Sequence, residues 1–129
     1  MSDFEETKFL SENKESPLLM GAYYYGKCMA GYFMESLDND QLIQIANEAM
    51  LHSPEVLSGT FKVLEIHFFA AMSYLRVAQS EKNESIKQNL IKQSDLLLAK
   101  LKVKLILFII IIIFIIFIFI FIILIYFYF

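Results

Sequence analysis

Chemistry has few places to start in this chain. Cys28, His52 and His67 are the only soft-ligand or nucleophile candidates besides the hydroxyls. A zinc site takes about four ligands at short spacings, and neither CxxC nor HExxH occurs. Cys28 falls among Tyr and Met on an apolar stretch, which suits a buried protonated thiol better than a thiolate nucleophile. His67 precedes Phe68 at the edge of an apolar seam, the position of a core histidine. No hydroxyl sits in a nucleophile-elbow context. Carboxylates abound at Asp38, Asp40, Glu48, Glu55 and Glu65, but no spacing isolates an acid–base pair, so they read as helix caps and a solvated face. The glycines make neither GxGxxG nor GxxxxGK[ST] and therefore no phosphate cradle. The expectation is a protein without catalytic residues, metal, cofactor or small-molecule substrate.

What remains is recognition chemistry. Ala22, Gly26 and Ala30 recur every four residues, which places them on one helix face and leaves a shallow groove where another backbone can come close. Beside them run Tyr23, Tyr24 and Tyr25, with Tyr32 and Phe33 further on. Three consecutive helical residues cannot all face one core, so at least one ring should be exposed or meet a partner. These small residues and tyrosines form the candidate partner-binding groove. Asn83-Glu84-Ser85 fits the glycosylation acceptor pattern, with a helix cap as the reading that a cytosolic domain favours.

The elements that must position these residues are helices. Residues 1–16 read as a flexible acidic leader. Ser16-Pro17 opens a helix, since Ser can cap free amides and Pro is tolerated at the first helical position, and this helix should run to about Leu37. Asp38 with Gln41 fits a capping box ahead of a helix from about Asn39 to Leu51, whose stripe is Leu42, Ile45, Ala46 and Ala49. His52 sits at its end, where a cation suits the helix dipole. Ser53-Pro54 repeats the Ser-Pro start, and Leu57, Phe61, Leu64, Phe68, Ala71, Leu75 and Ala78 step by four and three as one seam ending near Gln79. After a polar break at 80–83 a fourth helix begins near Glu84, and no Gly or Pro separates it from the tail. Four helices with short connections imply antiparallel neighbours, as stacked hairpins or an up-down bundle spanning 17–104.

The hairpin from Gly26 to Pro54 resembles a degenerate tetratricopeptide repeat. Ala30 and Ala49 take the small positions of its two helices, Phe33 an aromatic position and Pro54 the closing Pro. The leading Trp is absent, Leu42 stands where Ala is usual, and Ala46 where a large aromatic is usual. The stretches Leu37-Asp38-Asn39-Asp40-Gln41-Leu42, His52-Ser53-Pro54 and Thr60-Phe61-Lys62 are similar to helix pairs of the meiotic crossover proteins built from such repeats. These resemblances imply a protein-binding scaffold, with no catalytic residues to carry over.

Residues 105–129 carry no charge, amide, Gly or Pro. At 1.5 Å per residue the stretch reaches roughly 37 Å, more than the roughly 30 Å of bilayer hydrocarbon. Lys100, Lys102 and Lys104 precede it, Tyr126 and Tyr128 sit near its far end, and the start of the chain lacks a secretory signal. The expected topology is a single-pass tail anchor with the N-terminal domain in the cytosol. The alternative is a low-complexity or read-through tail, because Ile and Phe also dominate translated A/T-rich sequence. The protein would then be a cytosolic or nuclear fragment of a longer repeat scaffold, of meiotic recombination in the case of the second resemblance. The net charge of −3 belongs wholly to the part before Leu105, which argues against a nucleic-acid face. One cysteine leaves the fold to packing alone.

Overall fold

The computed structural model describes residues 3–57 and 62–128, and these form α1 (Asp3–Asn13), α2 (Pro17–Phe33), α3 (Asn39–Val56), α4 (Lys62–Ser80) and α5 (Glu84–Tyr128). Among the described residues there is no strand, as expected of an all-α chain. Residues 3–13, expected to be frayed as part of a flexible leader, are instead the helix α1, which packs on α2. The fourth expected helix and the tail are one uninterrupted helix, α5, of 45 residues.

Local chemistry sets most of the boundaries. Pro17 opens α2 at its first turn, although the Ser16 side chain makes no capping hydrogen bond. The capping box before α3 is formed: the Gln41 amide donates to Asp38 Oδ1 at 2.8 Å and the Asp38 amide to Gln41 Oε1 at 3.3 Å. Asn83 caps α5 by accepting from the Ser85 and Ile86 amides at 3.0 and 3.3 Å, so this side chain acts as a helix cap. The second Ser-Pro pair does something else. Pro54 lies inside α3 rather than closing it, and Ser53 is buried, its Oγ donating to the Gly21 carbonyl at 2.8 Å and tying α3 to α2.

Contacts between the helices fix their order and direction. Gly21 meets Ser53 while Gly31 faces Ile45, so α2 and α3 are antiparallel. Asn39 Nδ2 donates to Ser80 Oγ at 2.9 Å, which sets α3 antiparallel to α4. The turn at 81–83 reverses α5 along α4. α4 is the central helix: it touches α2, α3 and α5, whereas α5 touches neither α2 nor α3 among the described residues. The arrangement is thus a row of packed helices and not a closed bundle.

The centre of the row explains why the expected seam of α4 is rotated. Val63, Ile66, His67, Ala70, Ala71, Ser73, Tyr74, Val77 and Ala78 are buried, while Phe68 is exposed and Leu64 and Leu75 are only half-buried. A helix with neighbours on several sides needs small residues where the backbones approach. Ala70 and Ala71 supply them, and Phe68 turns outward into an aromatic group with Phe69, Phe33 and Tyr32. Phe61 of the expected seam lies outside the described residues. The core gathers Cys28, Leu42, Ala46, Ala49, Ile66, Ala70, Ala71, Tyr74, Val77, Ala78, Leu90 and Leu97.

Candidate partner-binding groove

The run of three tyrosines is the pivot of the N-terminal half. Successive residues on a helix are separated by about 100°, so the three rings leave α2 in three directions. Tyr23 turns to α1: its Oη donates to the Glu6 carboxylate, and its ring packs against Phe9 with centroids 5.4 Å apart. Tyr24 turns to α3 and stacks on His52 at 4.8 Å and 14°. Tyr25 turns to α4, donating to Glu65 with the Lys62 ammonium 5.5 Å from its ring centroid. Each ring is half-buried against a different neighbour.

Between α2 and α3, on the side away from α4, lies an open groove of about 1000 Å³. Ala22, Gly26 and Ala30 line it together with Tyr23 and Tyr24, as the four-residue spacing predicts, whereas Tyr25 faces α4 and takes no part. Ala22 and Ala30 are exposed, and a Cβ built on Gly26 meets no described atom of another element or side chain within 4 Å. The floor is therefore open space. Gly31, one residue beyond the small position assigned to Ala30, is buried: a Cβ there would stand 3.3 Å from Leu37 Cδ1 and 3.6 Å from Ile45 Cδ1. It sets the close approach of α2 to α3.

The opposite wall is α3, through Gln41, Gln44, Ile45 and Glu48. Sequence reasoning missed this wall because the polar edge of an amphipathic helix looks like any solvated face. Its three- and four-residue spacing beside the Leu42 and Ala46 stripe was the available signal. The third margin is α1, through Glu6 and Leu10. Glu6 pairs with Lys27, whose Nζ also donates to Tyr23 Oη at 3.2 Å. The Lys27 and Tyr23 hydrogen bonds hold the Glu6 carboxyl below its ordinary pKa. Burial would lower the Lys27 pKa, but the Glu6 and Tyr23 bonds outweigh it and raise it. The groove thus offers small apolar residues at its floor, amides and Glu48 along one wall and the Glu6–Lys27 ion pair at one end.

The other chemical candidates are scattered. Cys28 is fully buried, and burial pushes its thiol up to about 12 against the opposing Ser73 hydrogen bond. His67 is buried on α4, where Nδ1 donates to the Val63 carbonyl at 2.6 Å. Burial lowers its pKa, the Val63 carbonyl opposes the shift, and the charges of Lys104 and Lys100 add to it. His52 lies 3.3 Å from Glu48. Among the described residues no three His, Cys, Asp or Glu side chains gather as metal ligands. Lys100, Lys102 and Lys104 lie on α5, which among the described residues does not touch the two helices that wall the groove. Comparison with protein-family models, curated proteins and solved structures finds no match to the chain.

Proposed function

We propose that this protein is a non-enzymatic interaction domain, an adaptor or scaffold of tetratricopeptide-like hairpins that receives a partner helix in the α2–α3 groove. The carrying observation is the open floor at Gly26, where a Cβ would meet no described atom of another element or side chain within 4 Å although the position lies inside a helix. Two helices can approach closely where small residues line the contact, and an amphipathic helix laid in such a groove is a recurring mode of recognition. α5 holds the domain at a membrane with its N-terminal side in the cytosol: it is long and apolar enough to span, and its apolar window is not buried in the fold.

Gly26→Leu tests the groove. The leucine projects into the open volume, so helicity by circular dichroism should stay within about a tenth of the parent, leucine being a better helix former than glycine. Photo-crosslinking from Ala30 should lose its helical partners. Unchanged crosslinked partners, with helicity intact, would sink this reading.

A second reading has its own support in the row-like packing. α5 touches α4 and neither α2 nor α3 among the described residues, a contact pattern that supports hairpins stacked as in a solenoid. On that reading the groove is where a preceding hairpin sits, the chain is a portion of a longer repeat scaffold, and α5 beyond Lys104 has no anchoring role.

A further inference from the structure

The helix directions fix which end of the domain lies nearest the apolar span. α5 runs toward the span from Glu84, and α4 runs back along it, so the start of α4 returns beside the lysines that precede Leu105. The charges of Lys100 and Lys104 reach His67, in the second turn of α4. Tyr25 reaches Glu65 and the Lys62 ammonium, which sets the middle of α2 level with the start of α4. From Tyr25 back to Leu18 is seven residues, or roughly 10 Å farther toward the span. The first turn of α2 therefore reaches about the level at which α5 becomes wholly apolar.

That end is unusual in what it exposes. Leu18 is 61% and Leu19 45% exposed, in the first turn of a helix whose other end is tied down by Arg76 donating to the Tyr32 and Met34 carbonyls. Leu51, 72% exposed, projects from α3 two residues before Ser53, which is level with Gly21. Around the same end stand Lys62, Lys100, Lys102 and Lys104. Glu65, which keeps its charge while accepting from Tyr25, shares this end with Glu12, Glu15 and Glu55, but Lys8 and Lys14 stand there too, so lysines outnumber acids. Exposed leucines ringed by lysines, at the depth where a continuous helix enters hydrocarbon, match an acyl boundary under anionic headgroups.

We propose that this end of the domain rests on the membrane, with Leu18 and Leu19 inserted into the headgroup–acyl boundary of an anionic leaflet and Lys62, Lys100, Lys102 and Lys104 against its phosphates. The footing rests on the anchor reading of α5. It holds the domain against the leaflet at a second place beside the span and leaves the far end of α2, with Phe33, clear of lipid.

The chain has no tryptophan, so single Trp substitutions of the full-length protein report depth without background. Phe117→Trp, Leu18→Trp and Phe33→Trp are each reconstituted into phosphatidylcholine–phosphatidylserine vesicles carrying brominated acyl chains. All three positions are exposed in the fold. Phe117→Trp and Leu18→Trp should be quenched and Phe33→Trp should not. With phosphatidylserine replaced by phosphatidylcholine, quenching at position 18 should fall by roughly half, while that at 117 stays. Quenching at 117 without quenching at 18 overturns the footing and leaves the anchor standing. Equal quenching at 18 and 33 overturns the footing by laying the domain on its side, and quenching at 18 indifferent to phosphatidylserine overturns the lysine contribution. No quenching at 117 removes the anchor reading and the footing with it.

Discussion

Single residues here act mainly as ties between helices. Tyr23, Tyr24 and Tyr25 join α2 to α1, α3 and α4 in turn, so a stretch that reads as an aromatic patch is a three-way brace. Three consecutive helical rings cannot share one core, and these three do not. The sequence could not say where each would go, because the neighbours are fixed by tertiary packing. Cys28 was legible as a buried thiol from its apolar surroundings, whereas Ser53 was not legible as a bond to α2, since Ser before Pro reads as a helix start. His67 carries a prediction at this scale. Burial holds its folded pKa below the ordinary 6.5, so as pH falls the unfolded chain takes up the proton first. Its cost is absent above the unfolded value and grows as pH drops through that value toward the lower folded one. The urea midpoint of the protein in detergent micelles should therefore fall between pH 7 and 5, and His67→Gln should flatten that slope. An unchanged slope would assign the pH dependence to other groups.

Elements were legible where their ends carry local chemistry and illegible where packing decides. The Asp38–Gln41 box and the Asn83 cap are written in neighbouring residues and form as written. Asp38→Ala should cost about 1 kcal/mol, seen as a lower urea midpoint, with Asp38→Asn recovering most of it. If the alanine variant is as stable as the parent, the box contributes nothing. α1 escaped notice because its apolar residues do not form a stripe; ties from Glu6 and Phe9 to side chains of α2 hold it. The seam of α4 was misplaced for a related reason. Periodicity finds one hydrophobic face, whereas a helix between several neighbours buries more than one. Ala71 and Ala78 of the expected seam are buried, but Ile66, Ala70, Ser73 and Val77 go inside with them and Phe68 turns outside. The groove was legible through the Ala22–Gly26–Ala30 spacing, but six of its fifteen lining residues come from α3 and α1, which no spacing within α2 can reveal.

At the scale of the molecule, the row of helices ends in α5, which belongs to the domain at one end and to the apolar span at the other. Leu90, Ser94 and Leu97 are buried against the row, and the residues beyond Lys104 are almost entirely exposed. Ending the chain at Lys104 should release the domain from membranes on carbonate extraction while the full-length protein stays with lipid. If both forms extract alike, α5 is no anchor. The all-helical class and the apolar span were plain in the sequence; the open row was not, because hairpins that stack and hairpins that close share the same pattern. The unbroken course of α5 also sets a phase. A rigid shaft of roughly 67 Å at 3.6 residues per turn couples the azimuth of the domain to that of its span. One residue inserted after Lys104 would turn the groove about 100° relative to the faces of the apolar stretch, so the register of α5 determines which of those faces lies beneath the groove.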